Sequence, residues 1–356
     1  MRILLDIGHP AHVHYFKHVI QGLNRSGCQV IVVAREKEVT FELLKAYNIP
    51  FFSKGKGKSN LFGKFFYLFY GTLRIISIAK KNKIDLFLSF ASPYNALASV
   101  FYRKPNITLD DTEHNIFNHQ LYVPLSDVIL TPESFKKDFG DKHIRFKGTM
   151  DSAYLNPTYF EHKDVQFANT SHHDKKIIIL RFVSWNATHD INQKGFSVGQ
   201  IRKLIEKLRE MAYIFISSEK PLPEDLHKYN LKIAPEEMHH YLAKADLLIG
   251  ESGSMATEAA YLGTHSIVLN PAAYDFGVFD WFSKYKVFYI ANDYEDVIST
   301  ATKLLSRDDL KTEAKAEVDK IRNDSISLTD LIIWFIKNYP DSIDIVKNKQ
   351  EYQITF

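Results

Sequence analysis

The sequence has one cysteine, no long apolar run and almost no net charge, and each shortage excludes a class of protein. Cys28 is the only cysteine among 356 residues, which excludes an intramolecular disulfide and a Cys-x-x-Cys metal site. No apolar run reaches the ~18 residues of a membrane-spanning helix. Residues 1–10 lack the basic flank and the cleavage site of a signal peptide, so we expect a cytoplasmic protein.

Charge and glycine patterns exclude further classes. The formal net charge is only +3, which gives no overall attraction to nucleic acid. Neither the G-x-G-x-x-G pattern of dinucleotide-binding folds nor the G-x-x-x-x-G-K-[ST] pattern of P-loop NTPases occurs. With 45% hydrophobic and 24% charged residues the composition is that of a globular protein, and the length suggests two domains.

Short apolar runs alternate with helical patterns along the chain. In the first part, strands are predicted at residues 3–7, 29–34, 84–90 and 106–111, and helices at residues 13–23, 42–47 and 94–102. The alternation restarts after residue 170, with strands at residues 177–182, 213–217, 245–250 and 266–270 and a helix at residues 198–211. Strands that alternate with helices predict parallel sheets.

The two halves of the sequence resemble each other. Residues 83–88 (KIDLFL) and 244–249 (KADLLI) are each followed by a small-residue turn, a helix and another strand. We therefore predict an α/β fold with two Rossmann-like, doubly wound domains that face an interdomain cleft, where parallel sheets place their ligands. The predicted first domain is residues 1–155, and the predicted second domain is residues 175–325. A linker at residues 156–174 joins them, and residues 326–356 form a helix that crosses back and a polar tail.

The strongest candidate site is the stretch of residues 250–263 (GESGSMATEAAYLG), which follows a predicted strand and opens a helix. Gly253 lets the backbone approach a ligand, Ser252 and Ser254 offer hydroxyls, and Ser254 is the predicted N-cap. The N–H groups and the positive end of the helix suit a phosphate. Glu258 lies about one turn inside the helix, where it can accept hydrogen bonds from ribose hydroxyls. The alternative is an ordinary strand–turn–helix connection.

Residues 250–263, followed by residues 266–271 (SIVLNP), resemble the nucleotide-sugar signature of GT-B glycosyltransferases and of the related UDP-N-acetylglucosamine 2-epimerases. The resemblance implies that Glu258 holds the ribose of a nucleotide sugar. It also implies that the diphosphate contacts the small residues of the turn, which are Ser252, Gly253, Ser254 and Met255. Glu251 and Ser252 stand where many transferases have glycine.

Several motifs extend the resemblance over nearly the whole chain. Residues 6–17, 110–114, 181–190 and 253–264 are similar to the domain-of-unknown-function family numbered 354, which is placed in the GT-B superfamily. Members of that family resemble surface-polysaccharide enzymes, and the family label names no reaction. Residues 8–13 (GHPAHV) also resemble the first loop of MurG-like transferases.

His9, His12 and His14 form an H-x-x-H-x-H cluster after the first predicted strand. Three histidines can bind zinc, and metal-dependent amidohydrolases on a TIM barrel also carry H-x-H after a first strand. The two-half pattern argues against eight βα units, and we expect the three rings to diverge without a metal. His9 and His12 are then candidate cleft residues, either as a general base or as hydrogen-bond partners of a sugar or phosphate. The alternative is that each caps local backbone.

Residues 110–114 (DDTEH) follow a predicted strand at its carboxyl end. Asp111 and Glu113 are candidate catalytic groups, because a carboxylate there can deprotonate an acceptor hydroxyl or position a sugar. The alternative is that the run forms a helix N-terminus with Asp111 or Thr112 as the cap.

Further candidates come from the second half of the chain. Arg181 can offset the charge of a diphosphate, and Ser184 and Trp185 can line the nucleotide pocket. Alternatively, Arg181 pairs with a local carboxylate and Trp185 fills a domain boundary. The GT-B resemblance places contacts to the base near residues 237–240, which makes His239 a candidate.

Residues 51–83 are rich in lysine and aromatic side chains, and Phe62, Phe65, Phe66, Phe69 and Leu73 repeat at helical spacing. Such a helix suits an anionic membrane surface, with the lysines at the headgroups. The favoured alternative is an amphipathic core helix after a flexible loop. No RNA-binding motif accompanies the basic residues.

Together these features predict a GT-B-type glycosyltransferase that moves a sugar from a nucleotide-diphosphate sugar, with UDP as the expected nucleotide. The expected acceptor is a glycan or a lipid-linked molecule in surface polysaccharide synthesis, at the inner face of the membrane. No cofactor, metal or nucleic-acid partner is predicted. The alternatives are a UDP-sugar 2-epimerase or hydrolase on the same scaffold, and a non-catalytic nucleotide-sugar-binding protein.

Overall fold

The computed structural model describes residues 1–58, 61–168, 170, 175–183, 195–348 and 350–356. Residues 169 and 171–174 of the predicted linker therefore lie outside the described residues. The chain forms two compact units. The first unit consists of Met1–Tyr159 with Ser325–Phe356, and the second of Phe160–Asp324.

The first unit is built on a parallel sheet of seven strands. These are β1 (Arg2–Ile7), β2 (Gln29–Glu36), β3 (Phe51–Lys56), β4 (Leu86–Phe90), β5 (Asn106–Leu109), β6 (Val128–Pro132) and β7 (His143–Phe146). Their spatial order is β3-β2-β1-β4-β5-β6-β7. The helices that precede residue 160 are α1 (Pro10–Arg25), α2 (Thr40–Ala46), α3 (Leu61–Asn82), α4 (Pro93–Tyr102), α5 (Ile116–Tyr122) and α6 (Ser152–Leu155).

The second unit has a parallel sheet of five strands in the order β12-β11-β10-β8-β9. The strands are β8 (Lys176–Phe182), β9 (Ala212–Ser218), β10 (Leu247–Gly250), β11 (His265–Val268) and β12 (Phe288–Ile290). The helices are α7 (Val198–Leu208), α8 (Met238–Lys244), α9 (Gly253–Leu262), α10 (Gly277–Phe282), α11 (Tyr294–Leu305) and α12 (Leu310–Asn323).

Two C-terminal helices, α13 (Leu328–Lys337) and α14 (Asp341–Asn348), complete the first unit. Helix α13 packs against α1 and α6. The Thr329 hydroxyl donates to the Ala153 carbonyl at 2.6 Å, and Gly22 of α1 leaves room for the Ile333 side chain. None of the helices in the described part of the chain is both long and apolar enough to cross a bilayer.

The strands form because short apolar runs become buried on both faces of each sheet. In β1, Ile3, Leu4 and Leu5 are fully buried, as are Ile178, Ile179 and Leu180 in β8. This burial on both faces explains why the runs are continuously apolar rather than alternating. The predicted α/β fold with two Rossmann-like, parallel-sheet units is confirmed.

The main correction concerns residues 51–83. Residues 51–56, which the sequence analysis treated as part of a basic aromatic segment, form the edge strand β3. Leu61–Asn82 is one continuous helix. The prediction that the repeating aromatic side chains of this helix lie in the core is wrong. Phe62 is 80% exposed and Phe66 is 68% exposed, so the repeating aromatic side chains point to solvent. Helical spacing identifies one face of a helix but not which face the sheet buries.

Candidate functional site

The first two candidate histidines lie where β1 ends and α1 begins. His9 is the N-cap of α1, and its Nδ1 accepts a hydrogen bond from the Ala11 N–H at 3.2 Å. His12 Nδ1 accepts from the Gly8 N–H at 3.2 Å, and its ring lies 4.6 Å from that of Phe90 at the end of β4. The two histidine ring centroids are 5.9 Å apart. The structure therefore brings these two predicted residues together at the carboxyl edge of the sheet.

The hydrogen bonds of both rings fix which nitrogen carries the proton. A nitrogen that accepts from a backbone N–H holds no proton, so in the neutral ring the proton is on Nε2. Burial, helped by the charges of Lys37 and Lys54, lowers the pKa of His12 to about 3, so this ring is neutral at pH 7. His12 therefore offers an Nε2–H donor, which suits a sugar or phosphate oxygen better than the role of general base.

His14 points away from the other two histidines. It is buried, its ring stacks 5.5 Å from Tyr154, and its Nδ1 lies 3.4 Å from the Tyr47 hydroxyl. Among the described residues, no group of three or more His, Cys, Asp or Glu side chains is arranged to hold a metal ion. His14 belongs to the packing between α1 and its neighbours rather than to the site.

The acidic run after β5 forms a turn of its own. Strand β5 ends at Leu109, and α5 begins at Ile116 with Asn115 as its N-cap, so neither Asp111 nor Thr112 caps the helix. The Thr112 N–H donates to Asp110 Oδ1 at 3.0 Å, and its hydroxyl donates to Asp111 Oδ1 at 3.0 Å. The capping alternative is therefore wrong, and the turn leaves the Asp111 carboxyl half-buried at the carboxyl edge of the sheet.

The Asp111 carboxyl has an unusual proton affinity. Burial, with the neighbouring Asp110 as the next cause, raises the pKa of Asp111 to about 8, and Glu113 and Asp151 add to the effect. Like charges in a confined space disfavour ionisation, which is how active sites bring a carboxylic acid close to neutral pH. Asp111 can therefore hold or accept a proton near pH 8, as an acid–base catalyst requires.

Asp110 holds this turn in place. It is fully buried, and it accepts from the Tyr122 hydroxyl and from His119 Nε2, which lies 2.9 Å away. Glu113 is also buried, and its carboxylate accepts from the Lys136 N–H at 3.4 Å. Asp110 therefore fixes the backbone that carries Asp111 and Glu113.

A buried ion pair lies at the same edge of the sheet, and the sequence reasoning missed it. Lys54 of β3 donates to Asp6 of β1, and both side chains are 1% exposed. The Ser92 hydroxyl, which caps α4, donates to the other Asp6 oxygen. Lys54 Nζ also lies 4.4 Å from the centre of the Tyr94 ring. A charged residue inside the apolar run of β1 was the sequence signal for this pair.

In the second unit, β10 leads directly into the N-terminus of α9. Ser252 is the N-cap, and its hydroxyl accepts from the Met255 N–H at 3.4 Å. The prediction that Ser254 is the cap is wrong, because the helix begins one residue after Ser252. Ser254 is exposed, and Gly253 and Met255 are half-buried. The helix thus presents its positive end at the carboxyl edge of the sheet, as anion-binding helices do.

Glu258 and His239 form a buried pair one turn below this N-terminus. His239 Nε2 on α8 lies 3.2 Å from Glu258 Oε1 on α9, and both side chains are less than 10% exposed. The structure thus joins two residues that the sequence offered for different parts of a nucleotide. The imidazole orients one carboxylate oxygen of Glu258.

Close packing requires glycine at positions 250 and 253, independently of any ligand. A Cβ atom on Gly253 would lie 2.8 Å from the Phe279 ring, and one on Gly250 would lie 2.3 Å from the Arg181 carbonyl oxygen. Glu251 is buried, and its carboxylate accepts from the N–H groups of Val183 and Phe196. Glu251, which stands where many transferases have glycine, therefore anchors backbone outside the turn.

Arg181 has local partners. Its guanidinium donates to Glu219 Oε1 at 2.6 Å and to the Ser217 hydroxyl at 2.9 Å, both from β9 or the residue just beyond it. This is the local carboxylate pairing weighed as the alternative, and it already balances the positive charge. Ser184 and Trp185, the other candidates of that stretch, lie outside the described residues.

Comparison with known sequences agrees with the family resemblance. The family model described as "Protein of unknown function (DUF354)" matches residues 1–339. The uncharacterized protein MJ0665 of Methanocaldococcus jannaschii is 24% identical over 282 residues, which cover 76% of this chain and 82% of that protein.

Solved structures share the fold at low sequence identity. A UDP co-structure of S. aureus MnaA has a TM-score of 0.71 at 14% identity and covers 96% of this chain and 97% of its own. The Neisseria meningitidis UDP-GlcNAc 2-epimerase bound to UDP-GlcNAc has a TM-score of 0.64 at 15% identity, covering 95% and 100%. Spinosyn rhamnosyltransferase SpnG with thymidine diphosphate has a TM-score of 0.61 at 13% identity, covering 95% and 100%. The chain is similar in fold to both GT-B glycosyltransferases and epimerases.

Proposed function

The chain belongs to the DUF354 family, and from the candidate site at β10 and α9 we propose a function that the family description does not name. We propose that the chain is a GT-B-type glycosyltransferase that uses a nucleotide-diphosphate sugar. The observation that carries the proposal is the arrangement at the end of β10. The N-terminus of α9 faces the carboxyl edge of the sheet, and the buried Glu258–His239 pair lies one turn inside it.

The second unit binds the donor in this proposal. The N–H groups of Gly253 and Ser254 at the start of α9, together with the Ser252 hydroxyl, face the diphosphate. Glu258 accepts hydrogen bonds from the ribose hydroxyls, and His239 holds the carboxylate in position. UDP is the expected nucleotide. UDP and UDP-GlcNAc are bound in two of the structures that share this fold, which supports a nucleotide sugar as the ligand.

The same helix N-terminus also assists the departure of the leaving group. When the bond between the anomeric carbon and the diphosphate oxygen breaks, negative charge increases on the diphosphate. Backbone N–H groups that are already oriented stabilise this charge without rearrangement. Arg181 does not contact the diphosphate in this proposal, because Glu219 and Ser217 occupy its guanidinium and Glu219 balances its charge.

The first unit supplies the acid–base group. The acceptor hydroxyl transfers its proton to the Asp111 carboxylate as its oxygen bonds to the anomeric carbon, and the nucleoside diphosphate leaves. A base with a pKa near 8 suits this transfer at neutral or slightly alkaline pH. Glu113 positions the acceptor, and the Nε2–H groups of His9 and His12 donate to sugar or phosphate oxygens.

The proposed acceptor is a glycan or a lipid-linked molecule of surface polysaccharide synthesis. A second candidate is a UDP-sugar 2-epimerase or hydrolase on the same scaffold. The buried carboxylates at Asp110, Glu113 and Asp151 around Asp111 favour it, because they provide several acid–base groups for a proton abstracted from the sugar or for water.

The test is a turnover screen of UDP-sugars with candidate acceptors, followed by the product analysis that separates the two candidates. We expect transfer to an acceptor with release of UDP, at a rate that rises with pH through about 8 as Asp111 ionises. Release of free sugar or conversion to an epimer without an acceptor would favour the second candidate. Tight UDP binding with no turnover of any UDP-sugar would contradict both and favour a non-catalytic binding protein.

A further inference from the structure

Exposed apolar side chains are concentrated on three neighbouring helices of the first unit. Among the described residues, fourteen large apolar side chains are exposed, and only two of them lie in the second unit. Ten form what we call the aromatic face, namely Phe62, Phe65, Phe66, Phe69, Tyr70 and Leu73 on α3, Val100 and Phe101 on α4, and Ile116 and Phe117 on α5. Single exposed apolar residues are ordinary, whereas a concentrated group marks a surface that binds a partner.

The opposite side of α3 supplies the packing that holds the helix in place. Tyr67, Ile75 and Ile78 are buried, and the Tyr67 hydroxyl donates to the Lys54 carbonyl at 3.2 Å. The aromatic side chains therefore do not serve the fold of the unit. Phe65 instead contacts Phe69 within the face, with ring centroids 4.9 Å apart.

The α3 part of the aromatic face begins near the carboxyl edge of the sheet, where Tyr67 contacts the Lys54 backbone. Helix α3 packs against α4, and α4 packs against α5. The Tyr102 hydroxyl of α4 donates to the Ile76 carbonyl of α3 at 2.8 Å, and the ring of exposed Phe101 lies 5.2 Å from that of Tyr102. Phe117, which is 67% exposed, is four residues beyond Glu113. Phe101 lies at the end of α4 that leads to the start of β5, whereas Glu113 follows the other end of β5. The parts of the face on α3 and α5 therefore lie at the edge of the sheet that carries the proposed acceptor site.

The charges around the face select the partner. Residues 43–84 contain nine Lys and Arg residues and no Asp or Glu, although the net charge of the whole chain is only +3. Lys54 is buried in its pair with Asp6, which leaves eight of these cations. Lys56, Lys58 and Arg74 are exposed beside the aromatic side chains. A second copy of this chain would bring like charges together across the interface, which is unfavourable. Anionic headgroups above an apolar layer match both the cations and the phenylalanines.

We propose that the aromatic face docks on the surface of an anionic lipid bilayer. The phenylalanine side chains enter the boundary between headgroups and acyl chains, and the lysine and arginine side chains contact lipid phosphates. Docking itself is independent of the proposed reaction. The consequence that it brings a lipid-linked acceptor to Asp111 and Glu113 rests on the proposed glycosyl transfer.

Vesicle co-sedimentation tests the docking without nucleotide or sugar. We expect the full-length protein to bind vesicles of phosphatidylcholine with about one third phosphatidylglycerol at least about tenfold more tightly than vesicles of phosphatidylcholine alone, and less tightly at high salt. Replacing Phe66 and Phe69 together by Ser is expected to weaken binding at least about tenfold. Because both side chains are exposed, this variant should fold normally. The matched control is Val198→Ser with Tyr274→Ser, which removes exposed apolar residues of the second unit and should bind as the wild type does.

A charge reversal tests whether the cations beside the aromatic face contact the lipid headgroups. Arg74→Glu is expected to weaken binding to anionic vesicles, and Lys203→Glu, exposed on α7, is expected to leave it unchanged. Absent or equal binding to both vesicle types by the folded protein would overturn the proposal, as would a dimer in sedimentation analysis that Phe66→Ser with Phe69→Ser dissolves. Calorimetric UDP binding by the same variants reports on the proposed function, so the two proposals fail independently.

Discussion

Each of the two units has its own parallel sheet with a candidate site at the carboxyl edge, but the two candidate sites are built differently. In the second unit, one stretch of chain at β10 and α9 supplies the helix N-terminus and Glu258, and only His239 comes from elsewhere. In the first unit, the candidate site combines the ends of β1, β4 and β5, and the buried Asp6–Lys54 pair lies at the same edge. The second unit thus resembles a binding module, whereas the first concentrates groups that can move protons.

This difference predicts that variants of the two units affect different measurements. Substitutions in the first unit should lower turnover and leave nucleotide affinity intact, and substitutions in the second should lower affinity. Variants that lower both quantities together would break this separation.

Asp111→Asn is expected to have the largest effect. Removing the proton acceptor should lower kcat by about 10²–10⁴-fold, the usual contribution of a positioned acid–base group. UDP affinity, measured by calorimetry, should remain unchanged because the proposed UDP site lies in the other unit. Asp141→Asn, an exposed carboxylate of the same unit, is the matched control and should keep full activity. Unchanged turnover in Asp111→Asn would remove Asp111 from the mechanism.

Breaking the buried pair of the first unit should have the next largest effect. Lys54→Met leaves the Asp6 carboxylate buried without its cation, which is expected to cost about 3–5 kcal/mol of unfolding free energy. Denaturant unfolding of the first unit measures this loss. The double variant Asp6→Asn with Lys54→Met should recover most of it, since no unpaired charge then remains. Equal loss in the single and double variants would show that the pair is not coupled.

Glu258→Ala is expected to weaken UDP binding by roughly 10–100-fold, since hydrogen bonds to a charged group contribute about 1.5–3 kcal/mol. Glu206→Ala, an exposed glutamate on α7, should bind UDP as the wild type does. His239→Gln can donate a hydrogen bond to Glu258 from its side-chain amide, so we expect a smaller loss from this change. UDP binding that is unchanged in Glu258→Ala would remove the ribose role of this residue.

The raised pKa of Asp111 also predicts how stability depends on pH. Burial and Asp110 disfavour the charged form in the folded protein, so folding is opposed once the unfolded chain would release this proton. Relative to Asp111→Asn, the wild type should lose stability as the pH rises from about 4 towards about 8, with no further relative loss above that. Thermal unfolding from pH 4 to pH 9 measures the difference. A difference that does not change with pH would contradict the assignment.

Ser252→Ala should have the smallest effect. Loss of the N-cap of α9 is expected to lower the unfolding free energy by about 1 kcal/mol. It should weaken UDP binding less than Glu258→Ala does, because the backbone N–H groups of Gly253 and Ser254 still face the diphosphate. Ser254→Ala serves as the control, because Ser254 is exposed within the first turn and is not the cap. A larger stability loss in Ser254→Ala would return the cap to that residue.

The same contrast explains how much the sequence could predict. The α/β fold and the site at β10 and α9 follow from local patterns, because one apolar run, one turn and one helix lie together in the chain. The Glu258–His239 pair, the partners of Arg181 and the Asp6–Lys54 pair join residues that are far apart in the sequence, so no local pattern contains them. The outward orientation of Phe62 and Phe66 belonged to the less favoured of two alternatives for a related reason. A helical repeat looks the same whether the sheet or the solvent faces it.

The most direct test of the proposed nucleotide-sugar site is calorimetric titration of UDP, GDP, CDP and dTDP into the folded protein, with and without a divalent metal, repeated with Asp111→Asn and Glu258→Ala. We predict selective binding of UDP without metal, the same dissociation constant for Asp111→Asn, and a dissociation constant at least about tenfold higher for Glu258→Ala. No binding of any of the four nucleotides by the folded protein would contradict the proposed site.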